Sequence, residues 1–297
     1  MNEEIARYLQ SRYRPETVTL YKREINNFLQ YTRQAERANY SAIMQYIGAL
    51  REQSIGISRI QMALQAIKQY YHCLLQSGKR NDHPCRYITL KDKPGKGIQL
   101  QDLFTEQELE LLSERKERFK IMEIRNRVLL SLLLCQGLTT GELTQLTVND
   151  IDLEEGVIYI KGTTLTNSRT LGLKPKQIML LHQYLRETRP KLLSRSKNKK
   201  PDNELILTWR GNSEKGEGIH YLISTCKKLF PERNLNPRTI RQSVITNLLK
   251  QGKDVRIVQE YAGHKSPDTT EKYKQSDTEQ LQQAVNKHHP LADEALA

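Results

Sequence analysis

Apolar residues along the first ninety positions recur every three to four places. In "TVTLYKREINNFLQYT" Val18, Tyr21, Ile25 and Phe28 share one helical face, and in "SAIMQYIGALRE" Ile43, Ile47 and Leu50 do so behind Ser41, which is suited to cap the first turn. Ile60, Leu64, Ile67, Tyr71 and Leu74 mark a third buried face, for which Gly78 is the expected stop. Tyr70 and Tyr71 read as packing residues on that face. From Lys91 to Gln101, "KDKPGKGIQLQ" has a proline, two glycines and no apolar period, the composition of a linker.

Beyond the linker the pattern changes twice. In "FTEQELELL" Thr105 and Glu108 have capping-box spacing, with Phe104 and Leu109 placed to close a hydrophobic staple. "RVLLSLLLCQG" is apolar nearly all round, which predicts a helix buried at a domain centre and ending at Gly137. The period then drops to two: "GVIYIKGTTLTNSRTLGL" predicts two strands around a polar turn, and "ELILTW" another short strand. Helices fill the remainder. "LNPRTIRQSVITNLLKQG" has Asn236 as N-cap, Pro237 at the first helical position, Ile240, Val244 and Leu248 facing inward, and Gly252 as the end. "DVRIVQEYAGH" predicts a short helix ending at Gly263-His264, in which Tyr261 packs, and "SPDTTEKY" a capped helix carrying Tyr273. "TEQLQQAVNKHHPLADEALA" reads as a short amphipathic helix and a polar end. The fold class is therefore mainly α with a small β-sheet, in two domains: residues 1–90, a linker over 91–103, and residues 104–297.

Charge narrows the partner. Forty-seven Lys and Arg against 34 Asp and Glu leave +13, which favours a polyanion, nucleic acid first among them. Residues 1–98 hold 16 of the basic and 8 of the acidic residues, a surplus of +8 in one third of the chain. "LLSRSKNKKP", residues 192–201, is a basic loop, either a solvated surface or a phosphate contact. The four cysteines are far apart with no ligand spacing, and the adjacent His288 and His289 lack it too, so neither a metal nor a disulfide is expected. The acidic, polar start and the absence of a long apolar run point to a cytoplasmic protein without a membrane span.

The helix start at Asn236 carries the most informative local chemistry. Arg238 and Arg241 lie three apart in its first turns, beside free N–H groups and the positive end of the helix dipole, a setting suited to phosphate. Along the chain from there come the body of that helix, a Gly-His turn at 263–264, and a tyrosine nine positions after His264.

In that order, and in "LLLCQGLTTGELTQLTVNDIDLEEGVIYIKG", the chain resembles the tyrosine recombinase, or phage integrase, family over nearly its whole length. The resemblance implies an N-terminal helical core-binding (SAM-like) DNA-binding domain and a mixed α/β catalytic domain. It also implies double-stranded DNA as partner, gripped between the two domains, and no metal or other cofactor. Such enzymes attack a phosphodiester with a tyrosine, forming a 3′-phosphotyrosyl bond and a 5′-hydroxyl. By this resemblance Tyr273 is the nucleophile, Arg241 the second clamp arginine, His264 a phosphate-holding imidazole, and Glu142 the acid that supports the first arginine. The chain departs from the pattern at three places. Thr139 stands where the first arginine belongs. Arg238 replaces His or Lys, keeping a donor but no base near neutral pH. Thr164 stands where a hairpin lysine protonates the leaving oxygen, with Lys161 and Arg169 as candidate stand-ins. Two readings are open: a recombinase, weakened at Thr139 and Thr164, and a non-catalytic DNA-binding or assembly protein on the same frame. Docking of the C-terminal helix into a neighbouring copy would make it a homo-oligomer on DNA.

Overall fold

The structure, a computed structural model, describes residues 3–92, 102–115, 117–197 and 203–274. Two compact units divide it, Met1–Gly97 and Ile98–Ala297. Positions 93–101 of the expected linker and the tail beyond residue 274 lie outside the described residues, as do 198–202, which include the end of the expected basic loop at 201.

In the first unit the helical periods become α1 (Glu3–Gln10), α2 (Pro15–Tyr31), α3 (Tyr40–Glu52) and α4 (Ile57–Gln76). Their shared core centres on Phe28, whose ring meets Tyr46, Tyr70 and Tyr71 edge-on at centroid separations of 5.3, 6.5 and 6.2 Å. The Tyr71 hydroxyl donates to the Ala35 carbonyl at 2.7 Å, so this buried phenol has a partner for its polar tip. Two sequence expectations need correction. The cap of α3 is Asn39, whose side chain accepts from the Ala42 N–H at 3.0 Å; Ser41 already lies inside the helix. And α1 is an additional helix, absent from the periodic pattern because Ile5 and Leu9 are its only buried anchors.

The second unit runs through α5 (Glu106–Leu111), α6 (Lys120–Gln136), α7 (Thr140–Gln145), β1 (Ile151–Asp152), β2 (Val157–Ile160) and β3 (Arg169–Gly172). It continues with α8 (Pro175–Gln183), α9 (Arg189–Leu193), α10 (Gly216–Thr225), α11 (Pro237–Lys250), α12 (Val255–Ala262) and α13 (Pro267–Lys274). Helix α6, apolar along its C-terminal half, sits at the centre, with Val128, Leu129, Leu132 and Leu133 fully buried, and stops at Gly137 in the left-handed conformation (φ 58°). The capping box of Thr105 and Glu108 forms as expected, and so does the Asn236 cap of α11.

The sheet is antiparallel in the order β1-β2-β3. Ile160 pairs with Arg169 and Ile158 with Leu171, so alternation places Arg169 on the face that buries Ile158 and Ile160. "ELILTW" does not form the expected strand; it makes only the isolated bridges Thr147↔Glu204 and Leu207↔Ser213. Side chains occupy the backbone groups a partner strand would need. Arg125 donates to the Leu207 carbonyl, and the Tyr184 hydroxyl donates to the Leu205 carbonyl and accepts from the Leu207 N–H. Residues 192–193 of the expected basic loop end α9. Among the described residues no helix is long and apolar enough to cross a membrane.

Arg125 anchors the unit electrostatically. Nearly inaccessible on α6, it is paired with Glu214 and Asn126 as well as the Leu207 carbonyl. Removing one member of a buried pair strands the other charge, so Glu214→Gln should cost about 3–5 kcal/mol, whereas Arg125→Met with Glu214→Leu should cost much less. Urea unfolding of the three proteins checks this; equal losses in the single and double variants would contradict it.

Candidate active site

A single carboxylate organises the centre of the second unit. Glu142 is the third residue of α7 and is 2% exposed. Its Oε2 accepts from the backbone N–H of Thr139 at 2.8 Å and from the Thr139 hydroxyl at 3.0 Å, closing a capping box. Its Oε1 accepts from the Thr166 hydroxyl at 2.8 Å and from Nη1 of Arg169 at 2.6 Å, while Nη2 of Arg169 reaches Oε2 at 3.3 Å. Arg241 stands 3.7 Å away on the Oε2 side. Burial alone would raise the Glu142 pKa, but Arg169, the Thr139 backbone and Arg241 together hold it below the usual carboxylate value.

Arg241 points inward from α11. Nη1 donates to the Gly137 carbonyl at 2.6 Å and Nη2 to the Ala262 carbonyl at 2.5 Å, so the guanidinium ties the end of α6 to the end of α12. Gly137 and Gly263 each follow a helix with positive φ, 58° and 68°.

Arg169 arrives from the opposite side, on β3. The hairpin before it is held by Thr163, whose hydroxyl accepts from the N–H groups of Leu165 and Thr166, both at 3.1 Å, and whose own N–H donates to the Thr166 carbonyl at 2.8 Å. Thr166 then bridges to His264 along the backbone, and the Asn167 N–H donates to the Gly263 carbonyl at 2.8 Å. A Cβ on Gly263 would fall 2.6 Å from Nη1 of Arg169 and 2.9 Å from the Asn167 carbonyl, so glycine there is what lets the hairpin close on α12. A cleft of about 510 Å³ opens on this side, lined by Asn167, Arg169, Tyr261, Gly263 and His264 among others. Arg241 and Tyr273 do not line it, so it flanks the cluster rather than holding it.

His264 and Tyr273 complete the group. Nδ1 of His264 shares a hydrogen bond of 2.8 Å with the Thr270 hydroxyl on α13, and Gln259 donates to the His264 carbonyl. Burial lowers the imidazole pKa, and the charges of Arg241 and Arg169 lower it further, to about 4, so the ring is neutral near pH 7. The Tyr273 ring lies nearly parallel to it, at 10° and a centroid separation of 6.1 Å. Tyr273 is 9% exposed and packs with Ile245, Val258 and Ala262, which fixes α13 against α11 and α12 of its own chain. Burial raises the phenol pKa; Arg241, then Arg238 and a hydrogen bond with Gln242, act against that rise.

The structure thus brings together Glu142, Arg169, Arg241, His264 and Tyr273. Arg238 does not form the expected pair with Arg241. It is exposed on the first turn of α11, where it adds charge near Tyr273, whereas Arg241 turns inward. Lys161 is drawn away from the cluster by Asp150 at 3.0 Å, as its place after the inward-facing Ile160 requires. Thr164 is exposed in the hairpin turn, and Thr139 spends its hydroxyl on Glu142. Tyr261 packs and donates to the Cys135 carbonyl. Sequence reading missed Thr166, Thr270 and the pairing of Arg169 with Glu142. A signal for that pairing was present: a carboxylate in a buried helix needs a cation, Thr139 cannot be one, and Arg169 falls on the inward face of β3.

The profile of the phage integrase family matches residues 102–280. The chain belongs to that family, the tyrosine recombinases. Tyrosine recombinase XerC of Halalkalibacterium halodurans is 24% identical over 291 residues, covering 96% of this chain and 94% of the relative. Tyrosine recombinase XerD of Oceanobacillus iheyensis is 28% identical over 286 residues, covering 93% of each. The same fold occurs in the XerH site-specific recombinase bound to its difH substrate before cleavage, with TM-score 0.70 and 20% identity over 91% of this chain and 78% of that one. A lambda integrase dimer bound to a core site gives TM-score 0.66 at 12% identity, covering 91% of this chain and 92% of the other.

The imidazole yields a pH prediction. His264 titrates near 4 when folded and near 6.5 when exposed, so the unfolded chain binds its proton first as pH falls. Its contribution to stability is complete above about pH 6.5 and is lost progressively toward pH 4. His264→Gln should flatten this part of the stability curve, measured by urea unfolding at a series of pH values. Parallel curves for the two proteins would contradict the assignment.

Proposed function

We propose that the chain is a DNA breaking and rejoining enzyme for site-specific recombination, working through Tyr273. The observation that carries the reading is the gathering of one phenol, one neutral imidazole and two buried guanidinium groups around Glu142. In the proposed step the Tyr273 oxygen attacks phosphorus of a DNA phosphodiester, a P–O bond to tyrosine forms and the bond to the 5′ oxygen breaks. The phenol gives up one proton and the 5′ oxygen takes one up, so the strand's bond energy is kept as a 3′-phosphotyrosyl ester. Reversal by a 5′-hydroxyl reseals the strand. Negative charge collects on the non-bridging oxygens during transfer, and fixed cations such as Arg241 answer it without reorganisation. With Nδ1 on Thr270, His264 has Nε2 to offer the same oxygens.

The step served least well is protonation of the leaving oxygen. Thr164 carries no proton donor of suitable strength, and Lys161 is engaged by Asp150. Loss of a positioned general acid costs about 10²–10⁴ in rate, so cleavage is expected to be slow. The positive surplus of residues 1–98 suits a duplex partner, bound with affinity that falls steeply with salt. Each chain brings one nucleophile and exchange between two duplexes cuts four strands, so the reading requires several copies on DNA.

The test is covalency. The protein expressed in its host is denatured to strip non-covalent contacts, and attached DNA is recovered from wild type and from Tyr273→Phe, with formaldehyde-crosslinked samples as the control for binding. Covalent DNA on the wild type alone is expected. Its absence from a wild type that crosslinks normally would favour a non-catalytic DNA-binding protein on this frame.

A further inference from the structure

The charge count of the cluster is unbalanced. Arg169 and Arg241 bring two buried positive charges, Glu142 brings one negative, and His264 is neutral near pH 7. Unpaired charge in a buried site is costly unless a counter-ion completes it. Arg169 also retains a free donor: its Nε is buried and has no partner among the described residues.

We infer that Arg169 is a phosphate-contacting arginine, supplying from β3 the guanidinium that the family pattern places at residue 139. The inference rests on the proposed recombinase reading and adds a substrate contact to it. Three observations carry it. The carboxylate that would support an arginine at 139 is present, but it holds Arg169 in a two-pronged pair instead, at 2.6 and 3.3 Å. Thr139 fills the vacated position as a cap, donating its hydroxyl to the same carboxylate. And the hairpin is pinned to the His264 turn through Thr166, Asn167 and Gly263, which sets Arg169 beside His264 and Arg241 at a fixed place. An arginine serving only as counter-ion to Glu142 would duplicate Arg241, which already stands 3.7 Å from that carboxylate.

The experiment compares two DNA substrates carrying the cleavage site recovered covalently with the wild-type protein. One has a normal scissile phosphate; the other has a methylphosphonate there, which lacks the charged non-bridging oxygen. Arg169→Ala should lose about 10²–10³ in adduct formation on phosphate and only a small factor on methylphosphonate, because the charge it answers is gone. A loss of equal size on both would make Arg169 a packing residue and overturn the inference while leaving the recombinase reading intact. Thr139→Arg combined with Arg169→Thr, which returns a cation to Glu142 from the other side, guards against misfolding. That variant should melt near the wild type and recover at least tenfold over Arg169→Ala on phosphate. Normal melting without recovery would count against the inference. If the wild type forms no adduct with any DNA, the reading itself fails and the inference with it.

Discussion

The site depends on satisfying one buried carboxylate. Glu142 lies where water cannot solvate it, so its charge persists only because hydrogen bonds and cations surround it. Those partners come from three separate stretches: the cap at Thr139, the hairpin at Thr166 and Arg169, and α11 at Arg241. Meeting the demands of one side chain therefore fixes the relative positions of α7, the sheet and α11. Arg241 extends the arrangement by pinning the carbonyls that end α6 and α12.

The hairpin shows how local chemistry serves this end. Thr163 ties the turn together through local hydrogen bonds to Leu165 and Thr166, and register with β2 turns Arg169 inward. Gly263 then allows the turn after α12 to close against it, and the next residue, His264, engages Thr270 on α13. Tyr273 sits three residues further along that helix, held by Ile245, Val258 and Ala262. Position passes from the carboxylate to Tyr273 through contacts of a few ångströms each.

Much of this was legible in the sequence, for a physical reason. Helices with wide apolar faces, such as α4 and α6, and caps with short polar side chains, such as Thr105 and Asn236, declare themselves locally. Tyr273, His264 and Arg241 succeed one another within a short stretch, so their order is visible. Arg169 reads from the sequence as a candidate replacement for the hairpin lysine, whereas its contact is with Glu142, 27 positions earlier. Periodicity does not report such long-range pairing. The failed strand at 204–209 has a similar origin: its β-type composition is real, but Arg125 and Tyr184 take the backbone groups that pairing needs.

In the proposed reaction two guanidinium groups, one from β3 and one from α11, close on a single DNA phosphate. The most direct measurement is a crystal structure of the full chain on a nicked duplex with vanadate linking Tyr273 to the strand ends, a stand-in for the five-coordinate phosphorus. Donors of both Arg169 and Arg241 are expected within hydrogen-bonding distance of the equatorial oxygens, with Glu142 still bridging them from behind. Equatorial oxygens held by Arg241 and Arg238, with Arg169 turned away toward Glu142 alone, would contradict it.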